Sequence, residues 1–295
     1  MSTVGADAGA ATATLFEALA WRLRARQPGA RLGRQRGRQR GAGDAFADVA
    51  PLMRWPDPRR IDLRRSALDP FGEVFVRRFE TPAAVDVTVL LDWSGSLAAS
   101  AAADRRAMAA ILAAGLAQAA ARAGDRVSIV AAPGDGAAVM IRPPTRRADA
   151  DAILDALAAL PPRGGDAEPL RAAAAETPLR GALVFLVSDF ELSPEALDDV
   201  LGTLDGRDVV PLWLRDTGLD RIAPRWGVSE IVDPETGAAR LALTRPALAR
   251  RHAAARVAAA AALETVFAAH GRAPIMLADQ IDVAELAAAL GEAAL

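Results

Sequence analysis

Short apolar runs alternate with helical segments along most of this chain, and this alternation constrains the fold more than any other feature. The runs are rich in valine, leucine and isoleucine, and we expect strands at 85–92, 127–132, 138–142, 182–188, 208–214 and 274–279. Runs of this kind are typical of a buried, mostly parallel sheet that is covered by helices on both faces. The sequence therefore predicts an α/β fold, doubly wound around a mostly parallel six-stranded sheet of the Rossmann type.

The segments between these runs have helical patterns or turn signals. We expect helices at 102–123, at 147–160, from 167, after Ser193, at 246–270 and from Val283. Ser193 is a favoured N-cap residue, and Pro194 fits the first helical position because its missing N–H is not needed there. Residues 227–244 read instead as a small β excursion around a Pro-Glu-Thr-Gly turn.

The region before the sheet divides into two parts. Residues 1–43 combine a short amphipathic helix at 12–26 with a segment, 22–40, that holds eight arginines and no acidic residue. Residues 44–83 lead into the core and include a predicted strand at 73–80. The sheet and its helices then occupy a third segment, 84–295.

Composition excludes several classes of protein. The net charge is −2, so the whole molecule has no electrostatic attraction to nucleic acid or anionic membrane. There is no cysteine and there are only two histidines, which excludes thiolate zinc sites and leaves oxygen as the metal donor. No apolar stretch is long enough to span a membrane, and the N-terminus lacks the pattern of a signal peptide, so we expect a cytoplasmic location and no membrane partner.

Oxygen-bearing side chains follow two of the predicted strands. Asp92, Ser94 and Ser96 come at the end of the first strand, and Asp189 comes at the end of the run 182–188. Oxygens spaced two residues apart in a turn can face one point and bind a hard cation such as Mg2+. In open α/β sheets, ligands bind at the carboxyl ends of the strands, so a single metal site is expected there.

These residues resemble a known pattern. Asp-Trp-Ser-Gly-Ser at 92–96, Gly-Gly-Asp at 164–166 and Ser-Asp at 188–189 are similar to the metal-ion-dependent adhesion site of von Willebrand factor A domains. The preceding text, PDPRRIDLRRSAL followed by DPFGEVFVRRFE, resembles the bacterial family catalogued as domain of unknown function 58. The likeness covers about residues 30 to 290, with Leu63 standing where that family has tryptophan.

The resemblance implies a function. Members of that family are commonly paired with MoxR-type AAA+ ATPases in the assembly, maturation or metal loading of other protein complexes, and some relatives belong to the methanol dehydrogenase maturation system. The chain is thus expected to be a non-enzymatic adaptor or maturation chaperone. It would hold Mg2+, or Ca2+ or Mn2+, through Asp92, Ser94, Ser96 and Asp189, and a carboxylate from a partner protein would fill the open position.

Two features of the predicted site stay open. Asp166 stands where the adhesion-site pattern has threonine, so it either adds a third carboxylate to the metal or caps the helix beginning near 167. If three carboxylates converge without metal, their repulsion raises at least one pKa. Trp93, Leu97 and Phe190 either form an exposed partner-binding surface beside the ion or fold back into the core.

Two alternative functions are also considered. The first is a Mg2+-dependent phosphoesterase or other hydrolase, against which the serine ligands and the absence of an obvious general base argue. The second is nucleic-acid binding through the arginine-rich segment at 22–40, which contains no aromatic residue to stack on bases.

Overall fold

The computed structural model describes residues 39–41, 45–81, 85–143, 148–178, 182–220, 226–232 and 238–292. The predicted N-terminal helix and almost all of the arginine-rich segment lie outside these residues. The Pro-Glu-Thr-Gly turn of the β excursion also lies outside them.

The described strands, in chain order, are β1 (Gln39–Gly41), β2 (Ala45–Pro51), β3 (Phe75–Thr81), β4 (Asp86–Asp92), β5 (Arg126–Ala132), β6 (Val139–Ile141), β7 (Ala182–Ser188), β8 (Asp208–Arg215), β9 (Gly227–Val232), β10 (Ala239–Thr244) and β11 (Ile275–Ala278). The described α-helices are α1 (Leu63–Ala67), α2 (Arg105–Ala123), α3 (Ala150–Ala158), α4 (Glu168–Ala175), α5 (Pro194–Thr203), α6 (Pro246–Ala269) and α7 (Val283–Glu292).

A six-stranded sheet forms the centre of the fold, as the sequence predicts. Its strand order is β11-β8-β7-β4-β5-β6, and every neighbouring pair is parallel except β5 and β6. Two smaller antiparallel sheets accompany it, namely the β9–β10 hairpin and a three-stranded sheet of order β1-β3-β2. The sequence predicted β3, β9 and β10 but not β1 or β2.

Two apolar layers cover the central sheet. Side chains alternate along β4, so that Val89 and Leu91 pack with α2, α3 and α7 while Leu90 packs with α4, α5 and α6. Burial of both faces explains why the strands are nearly continuous apolar runs. Ser193 accepts a hydrogen bond from the backbone N–H of Ala196, which confirms the predicted cap of α5.

The strand order shows at which edge of the sheet a ligand is expected to bind. From β4 the chain moves to β5 on one side, and it later returns to place β7 against the other side of β4. The direction of winding therefore reverses between β4 and β7. The crevice outside the carboxyl ends of two such strands is where ligands bind in open α/β sheets.

Two glycines hold the loops at this edge together. Gly164 accepts a hydrogen bond from Gly95 N at 2.7 Å, and Gly134 N donates to Arg163 at 2.7 Å. A Cβ atom on Gly134 would lie only 2.7 Å from the carbonyl carbon of Gly164, and Gly164 itself has a φ of +64°. Glycine is therefore required where these loops cross.

We predict that Gly164→Ala lowers the free energy of unfolding by at least about 2 kcal/mol, because the new methyl group meets backbone in a left-handed conformation. Gly202→Ala is the matched control, since a Cβ at Gly202 in α5 meets nothing within 4 Å. Alanine is the better helix former, so the control should gain roughly 0.5–1 kcal/mol. Urea unfolding followed by circular dichroism measures both values, and similar values for the two variants would refute the crossing argument.

Candidate functional site

Asp92 ends β4 and is almost fully buried. Its Oδ2 accepts a 2.6 Å hydrogen bond from the Ser188 hydroxyl at the end of β7, and its Oδ1 accepts from the backbone N–H of Ser94 at 3.3 Å. The Ser188 hydroxyl in turn accepts from Phe190 N at 2.7 Å. The two predicted strand ends therefore meet through a direct side-chain contact, to which Ser188 contributes although the sequence analysis did not assign it a role.

The two serines of the Asp-x-Ser-x-Ser motif lie side by side. Ser94 precedes a 3-10 turn, Gly95–Ala98, and its hydroxyl is 3.0 Å from that of Ser96. Both serines are buried, and Ser94 makes no side-chain capping bond to the turn. The Ser94 hydroxyl oxygen is thus free of the capping role that serines commonly have at such turns.

Asp189 directly follows β7 and supplies the second buried carboxylate. Its Oδ1 accepts from Glu191 N at 3.4 Å. Its Oδ2 lies 2.8 Å from Nη1 of Arg105, an ion pair in which the side chains are 1% and 3% exposed. This oxygen makes no aligned hydrogen bond, so the contact is a close charge pair rather than a complete hydrogen-bonded bridge.

Arg105 is the site residue that the sequence analysis missed. It is the first residue of α2, and its Nη2 donates to the carbonyl oxygens of Ser96 at 2.5 Å and Ala99 at 3.3 Å. A cation in the first turn of a helix opposes the helix dipole. That mismatch was a usable signal, because an arginine in this position needs an acceptor nearby.

Burial changes the acidity of both carboxyl groups. Removal from water raises the pKa of Asp92 above its usual range. For Asp189, burial first and the charge of Asp92 second raise the pKa to about 7, against the lowering effects of Arg105 and the Ser96 hydroxyl. A raised pKa was predicted for the metal-free site, but the larger cause is desolvation and not repulsion.

Asp166 does not join the other two carboxylates. It is exposed, and its Oδ1 accepts a 3.0 Å hydrogen bond from Glu168 N at the start of α4. Among the described residues, no group of three or more histidine, aspartate and glutamate side chains is placed to hold a metal ion. The prediction that three carboxylates converge is therefore wrong, because Asp166 bonds to the backbone of its own loop.

The predicted partner-binding side chains are also placed differently. Trp93, Leu97 and Phe190 are all buried, so they form no exposed docking surface and that prediction is wrong. Trp93 turns inward and donates through Nε1 to the carbonyl oxygen of Leu160 at 2.8 Å. Phe190 adopts a φ of 48°, and its ring packs edge-on against Phe267 in the core.

The remaining donors suit a hard divalent cation. Asp92 and Asp189 provide carboxylate oxygens, while Ser94 and Ser96 provide neighbouring hydroxyls, and all four residues are buried at one edge of the sheet. Mg2+ prefers oxygen ligands, usually with one or two carboxylates. The buried Oδ2 of Asp189, which lacks an aligned hydrogen bond, is the donor that such a cation would satisfy.

A family comparison identifies the group to which these residues belong. Residues 56–263 match the family described as "Protein of unknown function DUF58". The chain belongs to this family. The match begins in the segment before the main sheet and extends into α6, so it includes every residue of the site just described.

One relative and two solved structures are also similar to this chain. A Paracoccus denitrificans protein described as "Uncharacterized protein in moxR 3'region" is 46% identical over 100 residues, which are 34% of this chain and 95% of that protein. Two solved structures are similar at 16% identity. BatB from Bacteroides thetaiotaomicron has a TM-score of 0.40, with 72% of this chain and 99% of that chain covered. An aerotolerance-related membrane protein from Bacteroides fragilis has a TM-score of 0.38, with 72% and 98% covered.

The comparison with solved structures corrects one expectation. The Bacteroides fragilis protein is described as a membrane protein, whereas the sequence predicts a cytoplasmic location for this chain. That prediction is withdrawn, and no location is proposed in its place. Within the described residues, no helix combines the length and the apolar character needed to cross a bilayer.

We predict that Asp189 makes stability depend on pH. The folded protein holds this proton up to about pH 7, whereas the unfolded chain releases it near 3.8. The stabilisation is therefore complete below about pH 4 and is lost as the pH rises to about 7. The parent should lose roughly 2–4 kcal/mol of its free energy of unfolding over this range, whereas Asp189→Asn stays neutral and should not.

The measurement is urea unfolding of the parent and of Asp189→Asn across this pH range. Asp166→Asn, which makes the same chemical change on an exposed loop, is the control and should follow the parent. Parallel curves for the parent and Asp189→Asn would contradict the raised pKa.

Proposed function

We propose that this chain is a metal-dependent interaction protein that works with a MoxR-type AAA+ ATPase in the assembly or maturation of another protein complex. The observation that carries the proposal is the meeting of Asp92, Ser94, Ser96 and Asp189 at the carboxyl edge of the sheet. The strand order and this motif are what a von Willebrand factor A-like domain would have, and we propose that identity for residues 84–295.

The partner is proposed from the relative. The Paracoccus denitrificans protein, 46% identical over its matched region, is named for its place beside moxR. Neighbouring bacterial genes often encode proteins that act together, so a MoxR-type ATPase is the partner to test first. The proposal does not extend to a methanol dehydrogenase-type client, for which the comparisons give no support.

The proposed mode of action is binding rather than catalysis. Asp92 and Asp189 would hold the cation with the hydroxyls of Ser94 and Ser96, and the cation would supply a Lewis-acidic position for a partner's carboxylate. Both aspartates already have close partners, since Asp92 accepts from Ser188 and Asp189 pairs with Arg105. Both carboxylates are thus engaged by groups of the chain itself, and we propose an adaptor rather than a hydrolase.

We predict that millimolar Mg2+ raises the melting temperature of the parent, because a ligand that binds only the folded state stabilises it by mass action. At a Mg2+ concentration of about 100 times Kd, the free energy of unfolding increases by about 2.7 kcal/mol. Asp92→Asn should lose this gain because it removes one of the two carboxylates. Asp166→Asn is the matched control and should keep it, since Asp166 bonds to its own loop.

The thermal shift is read by differential scanning fluorimetry with Mg2+, Mn2+ or EDTA. A parent that is insensitive to all added cations would remove metal dependence from the proposed function. Loss of the shift in Asp166→Asn would instead restore this residue to the ligand set.

We predict that a MoxR-type ATPase from the same genome binds the parent in Mg2+ and binds it at least tenfold more weakly in EDTA. Ser96→Ala should weaken binding in Mg2+ because it removes one cation donor with little change in shape. Biolayer interferometry with a nucleotide-loaded ATPase measures both effects. A variant lacking residues 1–43 is the control, and loss of binding in that variant alone would move the contact to the N-terminal segment.

A further inference from the structure

The inference concerns Arg105, whose guanidinium lies where a bound cation would contact Asp189. Its Nη1 is 2.8 Å from Asp189 Oδ2, and its Nη2 donates to the Ser96 carbonyl oxygen at 2.5 Å. Two residues of the proposed metal site thus already contact a fixed positive charge. This charge belongs to the chain itself.

The arginine is incompletely bonded in this position. Its Nε is buried without a hydrogen-bond partner, and Asp189 Oδ2 also lacks an aligned hydrogen bond. Buried polar groups are normally satisfied, and leaving one unsatisfied is costly. The pairing of Arg105 with Asp189 therefore leaves one buried polar atom on each side chain without a hydrogen bond.

The charges of the site favour exclusive occupancy. Asp92 and Asp189 together can carry two negative charges, which a divalent cation alone would neutralise. With Arg105 still in place, the same buried region would carry an excess positive charge, and uncompensated charge is strongly disfavoured in the interior. The buried site therefore accommodates either the Arg105 guanidinium or a divalent cation beside Asp189, and not both.

We propose that Arg105 is an internal competitor for the metal site, so that divalent cation binding requires its guanidinium to leave Asp189. This inference rests on the proposed function, because it concerns which cation that site holds. Glu191 offers the departing guanidinium an acceptor, since its Oε1 is 3.8 Å from Arg105 Nη1.

Glu191 connects this exchange to a neighbouring helix. Both of its carboxylate oxygens accept from Arg256 of α6 at 2.6 Å, and Arg256 Nε also donates to Asp220 at 3.0 Å. Movement of Arg105 toward Glu191 would place two guanidinium groups on one carboxylate.

The first experiment is calorimetric titration of Mg2+ into the parent, Arg105→Gln, Arg105→Lys and Arg106→Gln. Arg105→Gln should bind Mg2+ about tenfold or more tightly, because a positive charge within a few ångströms of the site is removed. Arg105→Lys keeps the charge and should stay near the parent. Arg106→Gln removes a charge from the next residue, which donates instead to the Ala158 carbonyl oxygen, and it should also stay near the parent.

The outcomes separate this inference from the proposed function. Equal Mg2+ affinity in the parent and Arg105→Gln overturns the competition while leaving a metal-dependent function intact. Binding in Arg105→Gln but not in the parent supports the competition. If neither protein binds Mg2+, both the metal dependence of the proposed function and this inference are refuted. Contact with the ATPase is measured separately.

A second measurement follows Arg105 directly in the parent chain. In the parent labelled with 15N-arginine, the buried Arg105 Nε–H should give a slowly exchanging NMR signal, assigned by its absence in Arg105→Lys. Adding Mg2+ should shift this signal and speed its exchange with solvent. A signal that stays unchanged while calorimetry shows Mg2+ binding would overturn the inference.

Discussion

Two carboxylates buried at adjacent strand ends are the constraint around which this edge of the fold is organised. Asp92 ends β4 and Asp189 follows β7, the two strands between which the winding reverses, and each side chain is nearly inaccessible to water. Isolated buried charge is too costly to persist, so neighbouring elements contribute compensating groups. Ser188 donates from β7 and Arg105 reaches back from α2.

The sheet could be predicted because its signal is local and repeated. Each apolar run is long enough to be a buried strand, and Ser193 with Pro194 marks a helix start without reference to the rest of the chain. Strands β1 and β2 were missed because they lack such a local signal. They are short or lie in a segment of mixed polarity, and their pairing with β3 depends on contacts between residues distant in sequence.

The candidate site was predictable only in part. The spacing of Asp92, Ser94 and Ser96 is visible in the sequence, but the direction of a side chain after a strand is not. Phe190 shows why, since its left-handed backbone turns the ring into the core against Phe267. Arg105 was missed because its partner, Asp189, is distant in sequence and only the fold brings the two together.

Helix α6 is long and is buried only near one end. Of its 24 residues only Leu263 and Phe267 are buried, both near its carboxyl end, while the opposite end is joined to the β9–β10 hairpin. At 1.5 Å per residue, Arg256 lies about 16 Å and Pro246 about 32 Å from Phe267. A tilt of the helix about Phe267 would therefore displace Pro246, beside the hairpin, roughly twice as far as Arg256, which pairs with Glu191 and Asp220.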